Sequence, residues 1–167
     1  DQWTPERIAR QQSSWAIQIT QAGIVDAKGA LAVLNEALEK CLADHSQHWI
    51  FDRSHRQSYC EFALNYLDPK GRISSAIVDR CFIIDDTQWI VDYKTSLPAA
   101  GQSFDDFLQQ QRHAYQAQLA LYAQTLVQLQ ANPLKKNGVE TPFKNTVKLK
   151  AALYFPLLSH LEIVIDQ

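Results

Sequence analysis

The feature that most constrains this fold is a long helical segment that separates two groups of predicted strands. It runs from Ser103 to Gln130, contains neither Gly nor Pro, and begins with Ser-Phe-Asp-Asp, which has capping-box form. A helix of this length carries the chain across a sheet, so the strand after it can pair in parallel with a strand before it. The sequence therefore predicts a mixed sheet covered by helices.

Shorter segments complete this arrangement. Helical spacing of apolar residues predicts two earlier helices, from Pro5 to Gln21 and from Ile24 to Ala43. Alternating residues and turn-forming pairs predict five strands, at residues 58–67, 72–84, 88–95, 147–155 and 161–165. The prediction is a single α/β (α+β) domain over residues 1–167, with a mixed central sheet of about five strands, three of them in a meander, flanked by helices.

Composition narrows the functional classes. The 167 residues are 46% hydrophobic, enough for one sizeable core, and no apolar run reaches the ~20 residues of a membrane span. We therefore expect a soluble, cytoplasmic protein with no membrane partner, whose three cysteines (Cys41, Cys60 and Cys81) are reduced core thiols. A net charge of -2 gives no general attraction for nucleic acid. Because the chain begins at Asp1 and has no Met, we also expect a fragment of a longer polypeptide.

Acidic residues stand inside the predicted meander, although Asp and Glu are uncommon in strands. A two-residue Asp-Asp turn between the second and third strands places Asp79 opposite Asp92. A three-residue Pro-Lys-Gly turn between the first and second strands places Glu61 opposite Asp79. Lys94, two residues beyond Asp92, projects from the same face. Like charges on neighbouring strands destabilise a sheet, so this row of acids requires a neutralising partner.

Two explanations of the acidic row remain open. Two or three carboxylates suit Mg²⁺ or Mn²⁺, and a neighbouring ammonium can orient a water molecule and offset charge in a phosphoryl transition state. Alternatively, the acids lie on a solvated sheet face, where Lys94 only balances Asp92. The long helix adds to the first explanation because Gln118 and Tyr122 share its apolar stripe. These two side chains either find partners inside the core or face a cleft beside the acids.

Taken together, the ordered residues resemble the PD-(D/E)XK nuclease superfamily, in the RecB/AddA-like branch at the C-terminus of UvrD/Rep-type helicase-nucleases. The resemblance runs from about Gly29 to Phe155. It rests on Glu61, Ile77-Val78-Asp79-Arg80, Trp89-Ile90-Val91-Asp92-Tyr93-Lys94-Thr95-Ser96 and Tyr115-x-x-Gln118-Leu119-x-x-Tyr122. The resemblance implies a restriction-endonuclease-like core.

The family's roles fall on the matching positions. By this resemblance Asp79 and Asp92 are metal ligands for Mg²⁺ (or Mn²⁺), and the backbone carbonyl of Tyr93 completes the coordination. Lys94 becomes the catalytic lysine. Glu61 corresponds to a first-strand acid that assists the metal or its water.

The resemblance also implies a function. Gln118 and Tyr122 would support the site and touch DNA, and Tyr115 is a candidate DNA contact. The chain is then a metal-dependent exonuclease module for DNA end processing, repair and recombination. It would act on single strands or duplex ends supplied by helicase domains of the same chain or by a partner subunit. A nuclease fold that only binds DNA or docks, and a nuclease directed to RNA or to repair substrates, remain as alternatives.

One departure from the family concerns histidine. The family carries a metal-binding His on an upstream helix in a Gly-Thr-x-x-His setting, and Val33 occupies the corresponding position here. That ligand either precedes Asp1 in a longer protein or is dispensable, so activity of this chain alone is an open question. His45, His48 and His55 are near enough in sequence to replace it, but each is expected to be a surface residue.

A basic cluster follows the long helix and could contact the DNA backbone. Such a cluster is also typical of a solvated loop, and nothing in it suggests recognition of bases. The cluster comprises Lys135, Lys136, Lys144, Lys148 and Lys150.

Overall fold

A computed structural model describes residues 4–68, 70–131 and 148–167. Within these residues the order of helices, three strands, long helix and two strands is the predicted one. A short helix at His48–Phe51 and 3₁₀ turns at His45–Gln47 and Pro156–Leu158 were not predicted. The elements are α1 (Pro5–Gln21), α2 (Ala27–Ala43), α3 (His48–Phe51), β1 (Arg56–Leu67), β2 (Ile73–Ile84), β3 (Thr87–Tyr93), α4 (Phe104–Ala131), β4 (Lys148–Phe155) and β5 (His160–Asp166).

The five strands form one mixed sheet in the order β1-β2-β3-β4-β5. Strands β3 and β4 are parallel and the other neighbouring pairs are antiparallel, which confirms the prediction that α4 carries the chain across the sheet. Both predicted hairpin registers are also confirmed. Ile84 pairs with Thr87, and Leu67 pairs with Ile73.

Helix α4 covers one face of the sheet. Its start is fixed by Ser103, whose hydroxyl oxygen accepts a hydrogen bond from the backbone N–H of Asp106 at 3.1 Å, as the capping sequence predicted. Buried residues of α4 such as Phe107, Leu119 and Leu126 pack against strand residues in a single apolar cluster. Burial of this face is the main source of stability for the helix, since helices depend more on packing than on propensity.

The opposite face carries α2 and α3. Ile50 of α3 and Cys41 of α2 pack on a second cluster formed by Phe82, Val91 and Tyr154 of the sheet. Helix α1 packs mainly on α2. The molecule is therefore a three-layer arrangement of helices, mixed sheet and helix.

A buried arginine links the segment before β1 to the sheet. Arg80 of β2 is 2% exposed and donates hydrogen bonds to the backbone carbonyls of Ile50 at 3.0 Å and Asp52 at 2.7 Å. A third bond reaches the carbonyl of Tyr59 at 3.4 Å. The three acceptors lie in α3, in the loop after it and in β1, so the Arg80 guanidinium ties this stretch of chain to β2 and fixes its course into β1.

The prediction that all three cysteines lie in the core is wrong for one of them. All three are free thiols, but Cys60 is exposed, Cys41 is half-buried and Cys81 is fully buried. Cys60 lies on β1, which is an edge strand of the sheet in the described residues. Within the described residues, no helix combines the length and apolar character needed to cross a membrane.

Candidate functional site

The candidate site lies where β2 and β3 separate. Their ladder ends at the pair Arg80 and Val91, one residue before the position where Asp79 would face Asp92. Beyond that point the backbone N–H of Tyr93 donates to the carboxylate Oδ2 of Asp79 at 2.8 Å. A side chain thus takes the place of the next backbone acceptor. Two strands that diverge in this way leave room between them that a continuous ladder would fill.

Strand β3 stays paired on its other side. Its parallel register with β4 continues through Tyr93 and Tyr154, and the N–H of Lys94 donates to the carbonyl of Tyr154 at 2.9 Å. Asp92 and Lys94 therefore sit on a firmly held backbone, while Asp79 approaches them from the diverging strand.

Asp92 is the most buried acid of the site, with 3% of its surface exposed. Its Oδ2 forms an ion pair with the ammonium of Lys94, and its Oδ1 accepts a hydrogen bond from Nε2 of Gln118 at 2.9 Å. Burial raises the pKa of Asp92 above its ordinary value, and the negative charge of Asp79 adds to this effect, whereas Lys94 opposes it. The two aspartates are therefore close enough to interact electrostatically.

Helix α4 supplies three side chains to the site from one stripe. Tyr115, Gln118 and Tyr122 are spaced by three and four residues, so they project from the same side of the helix. Nε2 of Gln118 bonds Asp92 and also lies 2.7 Å from the hydroxyl of Tyr122. Of the two alternatives for Gln118 and Tyr122, these contacts favour the one in which they face the acids. Burial is the largest cause of the raised pKa of the Tyr122 phenol.

The aromatic ring of Tyr115 covers the lysine. The ammonium nitrogen of Lys94 lies 3.9 Å from the centre of the Tyr115 ring, within cation–π distance. Sequence patterns singled out Tyr115 only as a candidate DNA contact. The sequence shows that Tyr115 and Gln118 are three residues apart on one helix. The contact between Tyr115 and Lys94 could not be predicted, because it depends on how α4 crosses the sheet.

The donor set suits a hard divalent cation that is only partly bound by protein. Mg²⁺ commonly takes one or two protein carboxylates and completes its shell with water and phosphate oxygens. Asp79 and Asp92 provide two carboxylates, and Tyr93 lies between Asp92 and Lys94 with its carbonyl available as a candidate ligand. These residues fit such an ion.

The third acid does not join them. Strands β1 and β2 keep the predicted register on either side of Glu61, with Cys60 opposite Arg80 and Phe62 opposite Val78. Glu61 itself has a left-handed backbone with φ of +52° and an exposed side chain. Across the three described segments, no three His, Cys, Asp or Glu side chains group as a metal site. Glu61 therefore interrupts the expected row of three acids, because the regular alternation of strand side chains is broken at this residue.

Two of the three candidate histidines contact backbone carbonyls, and the ring of the third, His45, packs edge-on against His48 with centroids 4.7 Å apart. His48 contacts the carbonyls of Cys41 and Leu42, both at 3.1 Å, and His55 contacts that of Trp49 at 2.7 Å. His55 is also half-buried, which corrects its expected surface position. Its ring stacks on Phe82 with centroids 4.9 Å apart. The exposed Val33 lies on α2 where the family carries its His.

The basic cluster is only partly described. Lys135, Lys136 and Lys144 lie outside the described residues. Lys148 pairs with Thr87 at the far end of β3 from Asp92, about 16 Å away along the strand. Lys150 forms an ion pair with Asp166 at 3.1 Å. Neither of the two described lysines of the cluster therefore contacts Asp79 or Asp92.

Comparison with known proteins gives no family for this chain. No protein-family model matches it, and no curated protein matches its sequence. A function for this chain is therefore inferred from the residues of the site.

Proposed function

We propose that this chain is a metal-dependent deoxyribonuclease built on a restriction-endonuclease-like core. The observation that carries the proposal is the buried Asp92–Lys94 ion pair, which is held by Gln118 and faces Asp79 where two strands diverge. Burying a carboxylate and an ammonium is costly, and replacement by apolar residues is often neutral or stabilising. A chain that keeps both charges beside a second aspartate, where the β2–β3 ladder ends, is better explained by chemistry than by packing.

Each residue has a role in phosphodiester hydrolysis that follows from its contacts. Asp79 and Asp92 would bind the divalent cation, and Gln118 fixes the orientation of the Asp92 carboxylate. A bound Mg²⁺ would lower the pKa of a water molecule and offset negative charge on the phosphate. The ammonium of Lys94 lies next to the carboxylates, where it can donate a hydrogen bond to the attacking water and stabilise negative charge on a phosphate oxygen.

The proposed substrate is DNA, either a single strand or a duplex end, and the proposed mode is exonucleolytic. A chain with net charge -2 has little general attraction for a polyanion, so the metal and a second source of DNA affinity must hold the substrate. Helicase domains of the same polypeptide or of a partner subunit would provide that affinity and feed strands to the site during end processing and recombinational repair.

Degradation of linear DNA tests this proposal. End-labelled single-stranded and double-stranded DNA is incubated with the chain and Mg²⁺, and the same assay is run with Asp92→Asn and with Asp166→Asn. The first variant keeps the shape of the side chain but removes a ligand charge. The second removes the acid of a surface ion pair between β4 and β5. We expect Mg²⁺-dependent cleavage in the wild type and Asp166→Asn, and none in Asp92→Asn. Equal activity in all three proteins would contradict the proposal.

A second candidate is a nuclease fold that serves DNA binding or docking without cleavage. It is favoured by the reduced ligand set, since two acids rather than three come together in the described part of the chain and Val33 stands where the family has a His. Salt-sensitive binding of DNA without metal-stimulated cleavage, in this chain and in a fusion to helicase domains, would support this candidate.

A further inference from the structure

The ammonium of Lys94 has contacts on two sides. One is the Asp92 carboxylate and the other is the face of the Tyr115 ring, at 3.9 Å from its centre. The Lys94 side chain is 18% exposed, so water competes only weakly for the ammonium. A lysine has a flexible four-carbon stem, and two contacts from different elements restrict it far more than one does.

The Tyr115 contact depends on the ring and not on the hydroxyl. Within the described residues, the hydroxyl of Tyr115 makes no hydrogen bond, while the ring packs at the edge of the main apolar cluster. The residue is carried by α4, which Gln118 ties to Asp92 one helical turn further on. The ring therefore occupies a fixed place relative to the carboxylate.

We propose that Tyr115 is a positioning residue that holds the Lys94 ammonium at the site. This inference rests on the proposed function, because it assumes that Lys94 takes part in hydrolysis. A divalent cation bound by Asp92 would weaken the attraction between this carboxylate and the Lys94 ammonium. The quadrupole of the Tyr115 ring remains available to the ammonium in either case, so the ring keeps Lys94 in place when its ion pair is weakened.

Two other roles for Tyr115 make different predictions. A residue that only fills space could be replaced by an aliphatic side chain without effect on Lys94. A residue that stacks on DNA bases would change substrate affinity while the position of Lys94 stayed the same. Variants at position 115 distinguish these roles from positioning.

The first test is a spectroscopic measurement on the metal-free protein and needs no activity. Protons above an aromatic ring resonate upfield, so the ε-methylene of ¹³C-labelled Lys94, assigned with Lys94→Arg, should lie upfield of the other lysines. We expect this shift in the wild type and in Tyr115→Phe. Because Tyr115→Leu removes the ring current itself, the ¹³C relaxation of the same methylene measures positioning there, and its mobility should increase. Tyr115→Met serves as a second aliphatic variant, since Met adapts to irregular space if Leu fails to fold. Unchanged mobility of the Lys94 methylene in the folded aliphatic variant would overturn the inference.

The second test is kinetic. Tyr115→Leu should lower kcat roughly 2- to 30-fold with little change in KM for DNA. This range corresponds to the ~0.5–2 kcal/mol of a cation–π contact at 1.36 kcal/mol per factor of ten. Tyr115→Phe should restore kcat. A rise in KM with unchanged kcat would overturn positioning in favour of base stacking. Absence of cleavage by the wild type, with the Lys94 shift intact, would instead contradict the proposed function.

Discussion

Replacement of Lys94 by Met should destabilise the protein far more than loss of an ordinary surface lysine. The side chains of Asp92 and Lys94 are 4% and 18% exposed, so the change leaves a buried carboxylate with Gln118 as its one remaining donor in the described segments and with Asp79 nearby. Removing one partner of a buried ion pair costs about 3–5 kcal/mol. For a domain of this size that corresponds to a fall in melting temperature of roughly 6–20 °C.

The effect should depend on pH. Burial raises the pKa of Asp92 in the folded protein, so ionisation of this carboxyl destabilises the folded state. The loss of stability grows as the pH rises from the pKa of Asp92 in the unfolded chain through its pKa in the folded protein. Without Lys94 the folded pKa rises further. The variant should therefore lose more stability at pH 7 than at pH 5, because a lower pH favours the protonated carboxyl.

Urea denaturation at both pH values measures this directly. Lys150→Met is the matched control, since the side chains of Lys150 and Asp166 are 27% and 59% exposed and such pairs contribute under about 1 kcal/mol. In the double variant Asp92→Asn with Lys94→Met, most of the lost stability should return, because no buried charge remains. Equal costs for Lys94→Met and Lys150→Met at pH 7 would refute the reasoning.

Three further changes test other parts of the fold. Arg80→Met should cost roughly 3 kcal/mol or more in urea denaturation, because three backbone carbonyls lose a charged donor. Gln118→Leu should lower the free energy of unfolding by about 1–3 kcal/mol, because Oδ1 of Asp92 loses its donor. Unchanged stability would show that a water molecule replaces the Gln118 amide. A thiol reagent should modify the exposed Cys60 in the folded protein but reach Cys81 only after unfolding. Burial raises the pKa of Cys81 to about 12, so the folded protein keeps this proton while the unfolded chain loses it. Stability should therefore fall as pH rises from about 9 towards 12, and by less in Cys81→Ala.

The fold could be predicted because its signals are local. Turn residues fix both hairpin registers, as the pairs Ile84 with Thr87 and Leu67 with Ile73 show. The capping sequence at Ser103 and the absence of helix breakers fix α4, and the length of α4 allows parallel pairing of β3 with β4. Each of these follows from residues close together in the sequence.

The details of the site could not be predicted because they depend on tertiary contacts. A left-handed backbone at Glu61 is uncommon for a residue other than Gly, and no sequence pattern indicates it. The β2–β3 ladder ends at Arg80 and Val91, and the turn residues that set its register do not indicate where it stops. The ring of Tyr115 over Lys94 depends on the crossing of helix and sheet. Strand alternation alone therefore predicted three acids where two come together.

Binding of Mn²⁺ to the chain tests the central claim most directly. Titration calorimetry is carried out with the wild type and with Asp79→Asn, Asp92→Asn and Glu61→Gln. Because Asp79 and Asp92 meet where β2 and β3 separate, we expect one Mn²⁺ site in the wild type. Glu61→Gln should retain this site, and both aspartate variants should lose it or bind Mn²⁺ far more weakly. Undiminished Mn²⁺ binding after either aspartate is replaced would contradict the account.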